Sequence, residues 1–340
     1  MEYRALGRLQ VSVVGLGCNN FGMRLDAAQT KAVVDAALDA GITYFDTAES
    51  YGRGKSEEYL GEALAGRRAE AVIATKWGHT VSLADGERGG DPTQIRRRLE
   101  ASLTRLRTDH VDHFQLHRPD PNTPLEETLG CLAELRDEGK IREIGCTHFT
   151  ASELAASHAA AVEHGLAPYP SVQNHYSLLT RDPETNGVFD TCRQLGMVFV
   201  PYFPLESGLL TGKYRRGKER PEGSRLAAWG DRASEFIDDD KLATVERLRA
   251  WAESRGHTLL DLALSWHTSN PLVASLSSSM NSLARSPHAA SREPSGRSSP
   301  RRYLPVSRPD SSGKYGTNTI PSWRQVSKTP FVSGSRARRL

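Results

Sequence analysis

The 340-residue sequence has little cysteine and no long apolar run. Its four cysteines, Cys18, Cys131, Cys146 and Cys192, lie far apart and form no Cys-x-x-Cys pair, which argues against a disulfide framework or a zinc site. No apolar stretch approaches the ~20 residues that a membrane-spanning helix needs, and the first residues lack the basic and apolar segments of an export signal. These absences predict a protein of the reducing cytoplasm that binds neither a metal nor a membrane.

The charge is distributed unevenly along the chain. The net charge is +3, but residues 281–340 carry 12 Lys/Arg against 2 Asp/Glu, together with 13 serines and 7 prolines. We therefore predict a folded domain over residues 1–276 and a basic, Ser/Arg/Pro-rich tail without packed elements over residues 277–340. Because this tail lacks interleaved aromatics and any module signature, we expect no specific nucleic-acid partner.

Short apolar runs alternate with helical patterns ahead of the tail. A hairpin with a Gly7-Arg8 turn is predicted first, and Asp26-x-x-Gln29 and Thr150-x-x-Glu153 are capping boxes that begin helices. The candidate strands are Val13–Cys18, Ile42–Thr47, Ala71–Lys76, Val111–His117, Glu143–Thr147, Pro170–His175, Met197–Tyr202 and Leu272–Leu276. This alternation indicates a parallel α/β protein, for which an eight-stranded barrel and a doubly wound sheet are both open.

Four polar residues, Asp46, Tyr51, Lys76 and His117, fall at or just beyond the ends of predicted strands. The carboxyl ends of barrel strands converge on one site. Singly, each residue has a structural interpretation: a turn cap, a rim aromatic, a solvated lysine or a buried histidine. Together they form one chemical device, because an ammonium near a tyrosine hydroxyl favours the phenolate and lowers the pKa of that hydroxyl from ~10 in water. We therefore expect a lowered pKa for Tyr51, which makes it a usable proton donor.

The same device assigns a role to each of the other residues. The carboxylate of Asp46 can hold Lys76 charged and oriented, and His117 can donate a hydrogen bond to a carbonyl oxygen as negative charge develops there. The set predicts reduction of a carbonyl group by a hydride and a proton.

The segments around these residues resemble the signatures of the aldo-keto reductase family. They are Gly15-Leu16-Gly17-Cys18-Asn19-Asn20-Phe21-Gly22, Phe45-Asp46-Thr47-Ala48-Glu49-Ser50-Tyr51-Gly52, Ala74-Thr75-Lys76-Trp77-Gly78, Gln115-Leu116-His117-Arg118-Pro119-Asp120, Gly139-Lys140-Ile141-Arg142-Glu143-Ile144-Gly145-Cys146, Val172-Gln173-Asn174, and Tyr202-Phe203-Pro204-Leu205 with Gly208-Leu209-Leu210-Thr211-Gly212-Lys213. The resemblance extends in order over about residues 1–275.

The resemblance implies an α/β fold of the (β/α)₈ TIM-barrel type that binds NADPH and reduces a small carbonyl substrate, with the four polar residues as its catalytic tetrad. The cofactor-binding residues that it implies are Cys18, Asn19, Asp46, Thr147, His148, Gln173, Tyr202, Phe203, Pro204, Leu205, Ser207, Lys213 and Arg225. Thr147, His148 and Gln173 would hold the nicotinamide carboxamide, and Tyr202 would stack on the ring. Phe203, Leu205, Ser207, Lys213 and Arg225 would surround the pyrophosphate, and Cys18 and Asn19 would line the ribose.

The sequence departs from the family pattern at three places. Thr147-His148 replaces Ser-Asn, and Phe203 replaces a serine. After Leu276 the family continues into a glycine-containing loop and an eighth helix, whereas this chain continues into Ser277-Ser278-Ser279 and the basic tail. We therefore expect an atypical or incomplete last β/α unit and hypothesise a frameshifted C-terminus, with Arg285 as a substitute phosphate contact.

Three other interpretations remain. In the first, the chain is a barrel aldolase and Lys76 forms a Schiff base, an interpretation that assigns no role to Tyr51 or Gln173. In the second, the chain is a cofactor-binding regulatory subunit, as in the potassium-channel β-subunits that resemble the family. In the third, it is a degenerate, inactive reductase.

A metal site at His110, His113 and His117 is rejected. On a strand, His113 and His117 lie ~13 Å apart, and His110 faces the other way.

Overall fold

A computed structural model of the protein describes residues 1–279, apart from the side chain of Glu235. Residues 280–340 lie outside the described residues. The predictions for most of the tail, for Arg285 and for the region of the eighth helix therefore concern residues that the structure does not describe.

Eight parallel strands close into a barrel, and a two-stranded antiparallel hairpin precedes it. The hairpin strands are β1 (Tyr3–Leu6) and β2 (Leu9–Ser12); the barrel strands are β3 (Val14–Gly17), β4 (Tyr44–Asp46), β5 (Val72–Trp77), β6 (Val111–Leu116), β7 (Ile141–Thr147), β8 (Ser171–His175), β9 (Val198–Tyr202) and β10 (Leu276–Ser278). Each barrel strand pairs with its sequence neighbour, and β10 closes the ring between β9 and β3. The predicted TIM barrel is confirmed, and the doubly wound sheet is excluded.

Helices surround the strands. Their bounds are α1 (Ala27–Asp39), α2 (Lys55–Ala63), α3 (Pro92–Leu106), α4 (Leu125–Asp137), α5 (Ala151–Glu163), α6 (Val188–Leu195), α7 (Arg225–Ala228), α8 (Asp239–Glu253) and α9 (Leu259–Thr268). Both predicted capping boxes are confirmed, with Asp26 and Thr150 each accepting the backbone N–H three residues on. These caps satisfy N–H groups that the first helical turn leaves free.

The eighth strand differs from its prediction. Leu272–Leu276 was expected, whereas β10 is Leu276–Ser278, and Val273 forms only an isolated bridge with Phe199. The serines pair with β3, Ser277 opposite Gly15 and Ser278 opposite Leu16. The barrel therefore extends two residues past the predicted boundary at residue 276. Pairing with β3 places Ser277 and Ser278 in a buried strand although both are polar.

The hairpin closes the amino end of the barrel. Its side chains Leu6, Leu9 and Val11 are buried in one cluster with barrel residues that include Tyr44 and Val200. The turn residue Gly7 has a φ of +54°, which suits glycine in a two-residue hairpin turn. The backbone N–H of Arg8 then donates to the Glu143 carboxylate at 2.9 Å, which ties the turn to β7.

His113 lies inside the barrel. Both ring nitrogens of His113 have partners, the Tyr44 hydroxyl at 3.0 Å and the Ser171 hydroxyl at 3.1 Å. A β-carbon on Gly145 would approach the His113 ring to 2.4 Å, so only glycine leaves the ring this space. Burial lowers the pKa of His113 to about 3, so the ring is neutral at pH 7. Its two hydrogen bonds account for a histidine inside the barrel.

No helix among residues 1–279 combines the length and the apolar character that crossing a membrane requires.

We predict that His113 contributes to acid destabilisation. An unfolded histidine takes up a proton below about pH 6.5, whereas folded His113 takes it up only near its pKa of about 3. Its contribution to stability is therefore complete above about pH 6.5 and is lost as the pH falls from there towards 3, with a slope of about 1.4 kcal/mol per pH unit. Urea unfolding of wild type and His113→Gln between pH 7 and 4 should show a shallower pH dependence for the variant.

The exposed His164 provides the control, because His164→Gln should leave the slope of wild type unchanged. Equal slopes for wild type and His113→Gln would contradict this account of the barrel interior.

Candidate active site

Successive strands bring the four predicted side chains together at the carboxyl end of the barrel. Asp46 ends β4 and Lys76 is the second-last residue of β5, so their side chains meet across adjacent strands. The Lys76 Nζ atom lies 2.6 Å from Asp46 Oδ1 and 3.5 Å from the Tyr51 hydroxyl oxygen. The ring of His117 faces that of Tyr51 edge-on, with centroids 6.0 Å apart.

The ion pair is almost completely buried, with 1% of the Lys76 side chain and 3% of the Asp46 side chain exposed. Lys76 also donates to the backbone carbonyl of Thr47 at 2.9 Å. Asp46 accepts from Gln115 at 3.4 Å, from Gln173 at 3.2 Å and from Ser277 at 2.6 Å. A buried ion pair is favourable only when further hydrogen bonds offset its lost hydration, and here strands from around the barrel supply them.

The pKa of Lys76 is raised, so its side chain is charged at neutral pH. Burial would lower the pKa of Lys76, but Asp46 and Tyr51 outweigh burial and raise it. For Tyr51 the expected lowering is wrong in sign: burial raises the pKa of its hydroxyl, and Lys76 offsets only part of this rise. Desolvation of a phenolate exceeds the attraction of one ammonium that Asp46 already neutralises.

His117 lies in a group of imidazole rings. The His79 ring centroid is 4.7 Å from that of His117, and the His148 centroid is 6.2 Å from it on another side. Burial, followed by the charge of Lys76, lowers the pKa of His117 well below its usual value. Its Nδ1 atom is buried without a hydrogen-bond partner among residues 1–279. His117 is therefore a neutral ring in the pH range in which histidines usually titrate.

The predicted carboxamide residues are already bonded within the protein. Thr147 donates its hydroxyl to the His117 carbonyl at 2.5 Å, and His148 Nδ1 lies 3.1 Å from the same oxygen. Gln173 donates to Asp46, as described. The ring of Tyr202, predicted to stack on the nicotinamide, has His175 stacked at 5.3 Å and His148 tilted at 5.1 Å.

A cavity of about 950 Å³ lies beside the tetrad at the ends of β9 and β10. Six of the predicted cofactor-binding residues line it: Phe203, Pro204, Leu205, Ser207, Lys213 and Arg225. The other walls come from α1, α9 and the three serines Ser277, Ser278 and Ser279. The structure thus brings the predicted pyrophosphate residues into one space.

The charged residues that line this cavity are the cations Arg24, Lys213 and Arg225, without any carboxylate. Burial, and then the charge of Arg24, lowers the pKa of Arg225. Arg225 donates to Asn19 Oδ1 and to Asn20 Oδ1, both at 3.3 Å, and Ser279 donates to the same Asn19 oxygen at 2.6 Å. An anion in the cavity would therefore meet unneutralised positive charge.

The segment after β9 has a strained backbone. Phe203, Glu206 and Ser207 have φ values of 52°, 46° and 53°, a region that costs energy for residues other than glycine. The buried Glu206 carboxylate holds the segment, because it accepts from the Ser177 hydroxyl at 2.6 Å and lies 2.9 Å from His175 Nε2. Although burial raises it, these neighbours hold the pKa of Glu206 below its usual value.

Seven of the predicted cofactor-binding residues do not line this cavity: Cys18, Asn19, Asp46, Thr147, His148, Gln173 and Tyr202. The Cys18 side chain is fully buried in the core between strands and helices, and its thiol donates to the Leu16 carbonyl at 3.4 Å. The family resemblance implied a ribose contact for Cys18, but its side chain packs in the core.

Arg24, Gln115, Ser277 and Ser279 were not predicted as site residues from the sequence. Gln115 begins the segment that contains His117, but no role was predicted for it. A polar residue inside an apolar strand was the signal that could have identified it. Ser277 and Ser279 were assigned to the tail because three consecutive serines are typical of a flexible segment. Their partners Asp46 and Asn19 lie more than 200 residues away, so no local signal could have found them.

A model of the aldo/keto reductase family matches residues 13–290 of the chain. The chain belongs to the aldo/keto reductase family. Members of this family generally use nicotinamide cofactors. The match extends beyond the predicted boundary at residue 276.

Curated relatives of this aldo/keto reductase cover most of both chains. The probable voltage-gated potassium channel subunit beta of Oryza sativa subsp. japonica is 34% identical over 81% of this chain and 86% of its own length. The L-glyceraldehyde 3-phosphate reductase of Escherichia coli (strain K12) is 32% identical over 81% and 83%. An uncharacterized oxidoreductase of Bacillus subtilis (strain 168) is 35% identical over 80% and 85%. The family and its oxidoreductase relatives support an oxidoreductase, and the roles of the individual site residues stay predictions.

We predict that Ser277 stabilises this reductase barrel through Asp46. Ser277→Ala removes a 2.6 Å hydrogen bond to a buried carboxylate, and we expect it to lower the free energy of unfolding by about 1.5–3 kcal/mol. The measurement is urea unfolding of the full chain, followed by circular dichroism.

Ser275 is the matched control, because it is also buried and its hydroxyl has no hydrogen-bond partner among residues 1–279. Ser275→Ala should leave the stability unchanged or raise it slightly. Equal losses in the two variants would show that the serine hydroxyls of this segment act only through packing.

Proposed function

We propose that the chain reduces an aldehyde or ketone to an alcohol with NADPH, and catalyses the reverse oxidation, with Tyr51 as the general acid. The observation that carries this proposal is the buried Asp46–Lys76 ion pair, whose ammonium also reaches the Tyr51 hydroxyl oxygen beside His117.

The cavity beside the tetrad fits a dinucleotide. Its three cations face no carboxylate on its walls, which suits a pyrophosphate and an additional phosphate. Phe203, Leu205, Ser207, Lys213 and Arg225 would hold these groups, and Tyr202 and Gln173 would face the nicotinamide. When bound, NADPH supplies the hydride.

The direction of the hydrogen bonds prepares Tyr51 as a proton donor. An ammonium can only donate, so the Tyr51 oxygen accepts from Lys76 and its own proton is free for the substrate oxygen. The raised pKa of Tyr51 keeps this proton in place at neutral pH. After the transfer, the adjacent charge of Lys76 stabilises the phenolate that remains.

Neutral His117 supplies the second hydrogen bond to the substrate oxygen. A neutral imidazole has one N–H donor, and donation to an oxygen on which negative charge develops stabilises the transition state. The carbonyl oxygen would lie between His117 and the Tyr51 hydroxyl. Small aldehydes are the first substrates to test, in line with the name of the Escherichia coli relative.

The same ion pair disfavours the Schiff-base alternative. A Schiff-base lysine must lose its proton to attack a carbonyl carbon, whereas Asp46 and Tyr51 raise the pKa of Lys76.

A regulatory role is the second candidate function, because the Oryza relative is named as a probable channel subunit. Such a role requires cofactor binding without turnover. Measurement of binding and turnover on the same preparation distinguishes the two candidates.

We predict that Tyr51→Phe abolishes aldehyde reduction but not NADPH binding. Removal of a general acid should lower kcat by a factor of about 10²–10⁴. The NADPH affinity, measured by quenching of tryptophan fluorescence in the full chain, should stay within about threefold, because the aromatic ring remains and only the hydroxyl is lost. Tyr59→Phe on α2 is the control and should retain both properties.

Full turnover by Tyr51→Phe would contradict the assignment of the general acid. No saturable NADPH binding by the folded wild type, with NADH as comparison, would contradict the proposed cofactor.

A further inference from the structure

Arg118 is a charged residue next to His117 in the chain that the proposed function does not use. It directly follows His117 beyond the end of β6, and it is half-buried. Among residues 1–279 it has no hydrogen bond or ion pair. The nearby carboxylate of Asp120 is occupied, because it accepts from the backbone N–H of Gly90 at 2.8 Å and from the Thr123 hydroxyl at 2.7 Å.

The groups around Arg118 do not neutralise it. Its charge acts on His79, His117, His148 and Tyr202. Burial and then Arg118 lower the pKa of His79, and they lower that of His148 to about 4. Both rings are therefore neutral at pH 7. Lys76 also acts on this region, but it is paired with Asp46, so the guanidinium of Arg118 is the cation available here to a ligand.

His79 adds a hydrogen-bond donor beside Arg118. Its Nδ1 atom accepts the backbone N–H of Val81 at 3.2 Å, so in the neutral ring the proton lies on Nε2. The His79 ring lies 4.7 Å from the His117 ring between centroids, and the charge of Arg118 acts on both rings. The proposed function assigns the carbonyl oxygen to His117. The combination of a guanidinium and a neutral imidazole N–H suits an oxyanion that carries several acceptor lone pairs.

We infer that Arg118 binds an anionic group of the carbonyl substrate, a carboxylate or a phosphate, and thereby makes short anionic aldehydes the preferred substrates. The inference rests on the proposed function and determines the substrate class for the same site. Arg118 does not line the cavity that would hold the cofactor phosphates, and its charge acts on His117, to which the proposed function assigns the substrate oxygen.

The test compares matched pairs of aldehydes with the full chain. Succinic semialdehyde against butanal isolates a carboxylate, and glyceraldehyde 3-phosphate against glyceraldehyde isolates a phosphate. Because a hydrogen bond to a charged group contributes about 1.5–3 kcal/mol, wild type should favour at least one anionic member in kcat/KM by about 10- to 150-fold. Arg118→Met should lose this preference and should change kcat/KM for the neutral member by no more than about threefold.

Two further variants complete the test. Arg118→Lys keeps the charge but not the paired donors, and it should retain part of the preference. Arg193→Met removes an exposed arginine on α6 that pairs with Asp190 and should behave as wild type. An equal loss on charged and neutral aldehydes in Arg118→Met, or no preference in wild type, would overturn the inference and leave the proposed reductase intact.

A binding measurement separates this inference from the proposed function. Succinate and inorganic phosphate are titrated while the imidazole signals of His79 and His148 are followed by NMR. A saturable shift of these signals in wild type that Arg118→Met lacks would support the anion site, even if no aldehyde is reduced. The absence of any shift in wild type with either anion would overturn it.

Discussion

The ion pair between Lys76 and Asp46 is the interaction on which the rest of the site depends. Its two charges are 1% and 3% exposed and 2.6 Å apart, so neither is hydrated and each would be costly without the other. The remaining capacity of the carboxylate is filled by Gln115 from β6, Gln173 from β8 and Ser277 from β10. This arrangement of side chains therefore forms only when the barrel closes, and closure requires the last strand.

Sequence patterns predict most of this architecture because local signals specify it. Short apolar runs identified seven of the eight barrel strands, and capping residues such as Asp26 and Thr150 identified helix starts. The four polar residues at strand ends could be placed together once a barrel was assumed, because the carboxyl ends of its strands meet. The side chains of Lys76 and Asp46 then meet as that arrangement requires.

The sequence could not predict what depends on pairing between distant segments. Ser277 has the composition of a tail, and it becomes a buried strand residue only through its register with β3 and its bond to Asp46. The sign of the pKa shift of Tyr51 was also out of reach, because it depends on how completely the fold excludes water around the hydroxyl. The burial of Cys18 could not be predicted for the same reason, since it depends on which side of the chain packs against the helices.

The departures from the family pattern acquire a physical meaning in the structure. His148 has a φ of 63°, a backbone region in which asparagine and histidine are both enriched, so the exchange of one for the other preserves the turn. Phe203 adopts a φ of 52° and packs under the Arg225 guanidinium, 5.7 Å from its ring centroid. The strain at Phe203 is thus accompanied by a contact to Arg225, one of the cations that line the cavity.

The central claim is that this chain, with its own C-terminus, transfers a hydride to a carbonyl carbon at the site that the ion pair organises. The most direct measurement is incubation of the full chain with NADPH that carries deuterium at both C4 positions of the nicotinamide and with a small aldehyde, followed by mass spectrometry of the alcohol. The account predicts one deuterium on the alcohol carbon with wild type and none with Lys76→Met. An alcohol without deuterium, or equal labelling with both proteins, would contradict it.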